Sequence, residues 1–275
     1  MTSVYGKIQN LITAANNVTG ESDTTLTDAV QTLIDGYGQG GGGISVDDLA
    51  TNSAPSGAVT LSSSVTQIGD YAFAAKPVTS VSGSWVTAIG GNAFINSQIT
   101  EINSTMFPSL TTFAISALEG MPQLKRVYLT GAAQYLKNLY IMRNNNNSIK
   151  VARFPYCTGG TNQMTFGSCY ALKVVDVGPI DSIASNWAYN ARALQTLILR
   201  KSEVIPLYNV SAFTNTPLRG YNSLSATVYV PQSLISSYQN ASNWSTIYND
   251  GHCTFAALEG SPYEYTDWDD SGFLE

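Results

Sequence analysis

Ile68-Gly69-Asp70-Tyr71-Ala72-Phe73 returns as Ile89-Gly90-Gly91-Asn92-Ala93-Phe94, and that echo decides the fold. With the phenylalanine as anchor, equivalent apolar positions fall at Phe73, Phe94, Leu118, Met142, Phe166, Tyr189 and Phe213, at intervals of 21, 24, 24, 24, 23 and 24. Apolar strands follow several anchors at a near-constant offset: Leu124–Leu129, Ile149–Phe154, Leu172–Val177 and Leu194–Leu199. A fixed period in the low twenties marks a solenoid, in which each unit adds one strand to a continuous sheet. No unit can bury its own apolar face, so stacking must bury it. The expected fold is an α+β repeat solenoid of about seven turns.

Upstream, Val4, Ile8, Leu11, Ile12 and Ala15 form one apolar stripe at helical spacing. Thr25-x-x-Asp28 reads as a capping box opening a second helix, with Ala29, Val30, Leu33 and Ile34 as its stripe and Gly36 as its C-cap. Helices of this length are marginal alone, so the hairpin needs copies of itself or a surface to dock on. Residues 1–36 are therefore expected to be an attachment and oligomerisation module. The run Gly40 to Gly43, with Gly36 and Gly38 upstream, makes 37–57 a flexible hinge and lead-in. The solenoid with its C-terminal cap should fill 58–260, leaving 261–275 as an acidic, disordered tail.

The repeated motif Ile-Gly-x-x-Ala-Phe, followed by x-x-x-x-Leu-x-x-Val, resembles the leucine-rich repeats of the BspA type. Phe166-Gly167-Ser168-Cys169-Tyr170-Ala171-Leu172-Lys173-Val174-Val175 is close to that family's central pattern, cysteine included. Val228-Tyr229-Val230-Pro231, running on to Tyr238 and Trp244, is similar to the strand and helix that close such arrays. The resemblance implies a binding surface of the kind common on bacterial surface proteins. The hairpin segment Leu26 to Gly38 resembles parts of bacteriophage virion and tail proteins, which implies a particle-bound partner for residues 1–36.

Composition narrows the function. Only 12% of residues are charged, and His252 is the one histidine in 275 residues. Much proton-transfer and zinc chemistry leans on histidine, so catalysis is not expected. Cys157, Cys169 and Cys253 show no C-x-x-C pair, and Cys169 falls at the repeat's own core position. No run approaches the ~18 apolar residues of a membrane span. The start, Met1 to Lys7, has a single cation and no long apolar stretch behind it, so no secretory signal is expected.

Charge is unevenly divided. Residues 1–119 sum to −7, residues 120–219 to +8 and residues 220–275 to −7, returning the net −6. Such asymmetry speaks of partners. In the basic middle, Arg126 and Lys150 each stand eight residues past an anchor and Lys173 seven past, with Tyr128, Tyr140, Arg143, Arg153 and Tyr156 in the same turns. Cations beside aromatic rings suit anionic glycans, and an ordinary solvated face is the rival reading. Nucleic acid is not expected, because the chain as a whole is acidic. Asn144 to Asn147 reads as a loop tip. Asp267-x-Asp269-x-Ser271-Gly272 matches the first half of a calcium loop, but Glu275 ends the sequence before the twelfth-position glutamate. No metal or cofactor is expected.

The reading that follows is a phage virion protein: a hairpin attached to other virion proteins, a hinge, and a repeat domain that binds a host-surface glycan or protein. An exported bacterial BspA-like adhesin and a decoration protein without a receptor remain alternatives. A glycan hydrolase of the tail would need two carboxylates converging across a cleft, and the basic region offers Asp176, Asp181 and Glu203 alone.

Overall fold

In the computed structural model, residues 56–131, Met142 and residues 148–275 are described. The expected helical hairpin of 1–36 and the expected glycine hinge up to residue 55, with Tyr140, Arg143 and the run Asn144 to Asn147, lie outside the described residues.

Twelve short strands lie within the described residues. They are β1 (Gly57–Thr60), β2 (Gln67–Ile68), β3 (Val78–Ser82), β4 (Ala88–Ile89), β5 (Glu101–Asn103) and β6 (Thr112–Phe113). Then come β7 (Arg126–Tyr128), β8 (Val151–Phe154), β9 (Val174–Val177), β10 (Thr196–Leu199), β11 (Ala226–Val230) and β12 (Cys253–Ala257). The main sheet has the order β12-β11-β10-β9-β8-β7-β5, and all of its neighbours run parallel. A second parallel sheet, β2-β4-β6, flanks the first turns, and β1 pairs with β3. The expected strands at 124–129, 149–154, 172–177 and 194–199 each contain an observed one.

The Leu-x-x-Val spacing has a plain cause. Val78 and Val81, Ile99 and Ile102, Leu124 and Val127, Ile149 and Ala152, Leu172 and Val175, Leu194 and Leu197 are all buried. The first residue of each pair closes the turn into a strand, and the second points from the strand to the same core.

Between the sheets each repeat makes a tight turn rather than a helix. The turns place two left-handed residues four apart: Tyr71 and Ala75, Asn92 and Asn96, Ser116 and Gly120, Met164 and Ser168, Asn186 and Asn190. That conformation costs an ordinary residue about 1–2 kcal/mol, and asparagine is among the residues that tolerate it best. The repeat's need for such positions accounts for part of the chain's asparagine content. Adjacent turns also bond to one another: the Phe73 amide donates to the Ala93 carbonyl at 2.8 Å, Asn96 to Gly120 at 2.9 Å and Phe166 to Trp187 at 2.8 Å. The motif glycine is a packing requirement, since a Cβ on Gly90 would stand 2.5 Å from the Asp70 amide nitrogen.

Aromatic rings run through the core. Phe73 stacks on Phe94 at 5.7 Å, and further along Phe154, Phe166, Trp187, Phe213 and Trp244 touch in succession at centroid distances of 4.8–6.4 Å. Here the expected register needs correction. Tyr189 is only half-buried, while Ala188 sits midway between the left-handed Asn186 and Asn190, as Phe166 does between Met164 and Ser168. The small Ala188 leaves room that the neighbouring Trp187 ring fills.

Past β11, Pro231 opens a 3-10 turn, Gln232–Leu234, that leads into α1 (Ile235–Asn240); α2 (Trp244–Asn249) follows. These helices close the array by saturating one residue. The Ile205 amide donates to the Tyr238 hydroxyl at 3.0 Å, and the Trp244 indole donates to the Ile205 carbonyl at 2.8 Å. Burial pushes the Tyr238 hydroxyl up to about 12. Among the described residues, no helix is long and apolar enough to cross a membrane.

The C-terminal residues contradict the expectation of a disordered tail. After Gly260 the chain turns back and lies on the outer face of the main sheet, where Trp268 packs against Val174 and Ile198 and only 7% of it remains exposed.

Candidate functional site: the outer face of the main sheet

Alternation along each strand sends every second side chain away from the core. The strand register aligns these outward residues into two rows. One row reads Glu101, Arg126, Val151, Val174, Thr196, Thr227, Thr254, and the other Asn103, Tyr128, Arg153, Asp176, Ile198, Tyr229, Ala256. Charged and aromatic groups of separate repeats thus stand side by side, one strand spacing apart.

The second row is the centre of the site. Arg153 lies between two rings, its guanidinium carbon 4.1 Å from the Tyr128 centroid and 4.2 Å from that of Trp268. Its Nη1 donates to Asp270 at 2.7 Å and to the Trp268 carbonyl at 3.0 Å. Arg126 reaches the same carboxylate through Nε at 3.0 Å, with Glu101 at 3.5 Å on its other side. Asp176, fully buried, accepts from Arg200 Nε at 2.7 Å and Nη2 at 2.9 Å, and from the Trp268 indole at 2.9 Å. Trp268 is therefore fixed by an apolar floor, a cation over its ring and an acceptor at its edge. Tyr263 and Phe273 pack edge-on against it at 4.9 and 6.0 Å.

Burial raises the Tyr128 hydroxyl above its ordinary range, and the nearby Arg153 charge offsets part of that rise. Tyr229 is raised too, by burial and by Tyr263. Both phenols stay neutral donors at physiological pH, and Tyr128 donates to the Thr266 carbonyl at 3.0 Å.

The structure separates the residues expected to form one basic patch. Arg126, Tyr128 and Arg153 do share a face, but the C-terminal segment occupies it. Lys150 is not in phase with Arg126, because Arg126 pairs with Val151, and Val151 with Val174. Lys150 instead belongs to a row just before the strands, where the Lys150 amide donates to the Lys125 carbonyl at 2.9 Å and the Lys173 amide to the Lys150 carbonyl at 2.8 Å. Lys125 joins Lys150 and Lys173 in that row, which sequence spacing missed because the turns differ in length.

Sequence reasoning also passed over Asp176, Arg200, Trp268 and Asp270. A signal was present: an acid inside Val174-Val175-Asp176-Val177 and a cation inside Val151-Ala152-Arg153-Phe154 break apolar strands, and buried charges need partners.

The other candidates are settled locally. Asp269 accepts from the Ser271 amide at 3.0 Å, which lowers its carboxyl, so it is spent on an Asx turn that leads into the 3-10 turn Ser271–Phe273. Among the described residues no group of histidines, cysteines and acids is placed to hold a metal ion. Cys169 is buried and its thiol points to the Met142 carbonyl at 3.0 Å. Burial pushes the Cys253 thiol up to about 12, far from a nucleophile's range. The neighbouring His252 ring lies over Gly220, where a Cβ would meet it at 2.4 Å.

The repeat geometry agrees with a sequence comparison. The BspA type leucine rich repeat region matches six copies, over residues 51–172 and 87–219. The chain belongs to the BspA-type leucine-rich repeat family. A crystal structure of a leucine-rich repeat protein from Bacteroides ovatus is similar at 12% identity, covering 74% of this chain and 84% of that one, with a TM-score of 0.27. No curated protein matches the chain. In BspA-type terms, the motif glycines and phenylalanines seen here are the turn and core positions of the repeat.

Proposed function

We propose that this BspA-type chain is a binding module displayed on an assembled surface, with residues 1–36 attaching it and the repeat stack presented to a host cell. A phage virion is the proposed setting, supported by the resemblance of Leu26 to Gly38 to virion and tail proteins. An exported bacterial adhesin is the alternative setting for the same module. In both, the chain binds and does not catalyse.

One observation carries the surface-binding reading. Lys125, Lys150 and Lys173 stand on adjacent turns, joined carbonyl to amide, at the margin of the face that the C-terminal segment covers. Neighbouring strands lie about 4.8 Å apart, so the three ammonium groups form a compact row suited to an anionic polymer. This refines the sequence-based patch: Arg126 and Arg153 are engaged within the chain, Lys125 is exposed, Lys150 is half-buried, and Lys173 lends one bond to the Glu275 carbonyl at the end of the C-terminal segment.

Replacing all three lysines with serine should weaken adsorption to host cells by at least about tenfold, with little change in melting temperature, since surface cations of this kind contribute only tenths of a kcal/mol to stability. Wild-type adsorption should weaken as salt rises, because the Debye length falls from ~10 Å at 0.1 M to ~3 Å at 1 M. Salt-independent adsorption that the triple variant retains contradicts the reading. It would shift the assignment to the exposed rings of Trp85, Tyr156 and Tyr208, on loops leaving β3, β8 and β10, which suit neutral sugars.

A further inference from the structure

We propose that the outer face of the main sheet is a recognition surface for an acidic, turn-forming peptide with a tryptophan two positions before an aspartate. Residues 261–275 are its resident occupant, and such a segment on a partner protein displaces them. The proposal rests on the reading of the chain as a binding module and names a partner class for one face of it.

The first support is the kind of bond that holds the segment. Side-chain donors of the sheet grip its main-chain carbonyls. Arg153 donates to the carbonyls of Thr266 and Trp268, and Tyr128 to that of Thr266. Arg200 donates to the carbonyls of Tyr263, Glu264 and Tyr265 at 2.9–3.3 Å, and Lys173 to that of Glu275 at 3.2 Å. Any segment that follows the same turns offers those carbonyls. The most deeply seated side chains are the Trp268 ring, on Val174 and Ile198 with its indole on Asp176, and the Asp270 carboxylate between Arg126 and Arg153, with the Tyr263 ring against Tyr229 and the Thr266 hydroxyl against that of Tyr156 beside them.

The second support is that the segment can leave without disturbing the sheet. Among the described residues, the main-chain bonds of 262–275 stay within the segment's own turns: Glu264 to Ser261, Phe273 to Asp270 and Leu274 to Ser271. No ladder ties it to a strand. Gly260, at φ +73° with open space around it, stands where the chain departs from β12.

The third support is an incomplete fit. Arg153 Nε is buried and has no hydrogen-bond partner among the described residues. The resident segment leaves that donor unspent, and a buried unpaired donor is costly. A partner that supplies one more acceptor there gains what the chain's own segment does not provide. The covalent tether compensates, since a linked segment acts at an effective concentration in the millimolar range.

The test uses the full chain and a fluorescently labelled synthetic peptide of residues 261–275. Trp268→Ala in the full chain weakens the resident segment while leaving every face residue intact. Asp270→Asn does so independently, so the result does not hang on one variant folding. Both should bind the peptide at least about tenfold more tightly than wild type, whose face is occupied by its tethered segment. Adding Arg153→Ser to either variant should abolish binding, and a peptide lacking both the tryptophan and the aspartate should not compete. Failure of both folded variants to bind the peptide overturns the proposal. So does binding that survives Arg153→Ser, or self-association of the variants that the free peptide does not compete. Cell adsorption through the lysine row is read in a separate assay. Lost peptide binding with adsorption intact defeats this inference alone.

Discussion

Trp187→Ala is expected to destabilise the chain by about 3–5 kcal/mol, while Tyr189→Ala costs less than about 1 kcal/mol. Trp187 is fully buried, with Phe166 on one side at 4.8 Å and Phe213 on the other at 6.1 Å. Truncation removes a large buried side chain and leaves a cavity between two turns that cannot close, because the sheet ladder and the turn-to-turn bonds hold the spacing. In a stack stabilised by neighbours, the damage spreads to both sides. Tyr189 is half-buried at the rim and carries no such load. Urea unfolding of the two variants checks this directly. Equal losses, or a larger loss at Tyr189, would restore the register in which Tyr189 is the core anchor.

The second large effect is expected at Asp176. Asp176→Ala should cost about 3–5 kcal/mol, because it strips a buried guanidinium, Arg200, and the Trp268 indole of their shared acceptor. Asp181→Ala, at an exposed position in the same region, should stay within about 0.5 kcal/mol. Replacing Asp176 and Arg200 together with leucine and methionine should recover most of the loss, since a buried ion pair and a well-packed apolar pair are often close in stability. Chemical denaturation of the three variants beside the wild type reads all three statements. An Asp176→Ala loss under about 1 kcal/mol would mean that the face is wet and the C-terminal segment loosely held.

These two residues also show where the sequence was legible. The repeat was readable because its signal is local and recurs: every turn needs an apolar closing residue, a second three positions on, and a small or left-handed residue at the bend. Errors arose where a turn departs from the average. Between Phe166 and Phe213 the small Ala188 takes the anchor position and Trp187 fills the gap, so a count of aromatic intervals lands on Tyr189. Between Arg126 and Val151 the strand-to-strand interval exceeds that between Val151 and Val174, so equal offsets put Arg126 and Lys150 in one row when they occupy two.

The C-terminal segment was illegible for a different reason. Its docking depends on a few single residues 63 to 144 positions from their hydrogen-bond partners, with no period to reveal it. The charge division was the available signal: +8 over residues 120–219 against −7 over 220–275. It points to complementarity, and the complement lies within the same chain. Arg126, Arg153 and Arg200 meet Asp270, Asp176 and the carbonyls of the last fifteen residues rather than an outside anion. The half calcium motif around Asp267 and Asp269 was misleading in the same way, because the acid between them and the face, Asp270, is the one that is buried.

The C-terminal segment covers the basic face, and the chain's four tryptophans test that cover. Trp187 and Trp244 are fully buried in the core, Trp85 is 59% exposed on a loop, and Trp268, the segment's own residue against the sheet, is 7% exposed. Hydroxyl-radical oxidation of the folded chain, read residue by residue by mass spectrometry, ranks the four in one sample. Trp85 should react fast, with Trp268 protected nearly as well as Trp187 and Trp244. Oxidation of Trp268 at the rate of Trp85, with the two core tryptophans still protected, would contradict it.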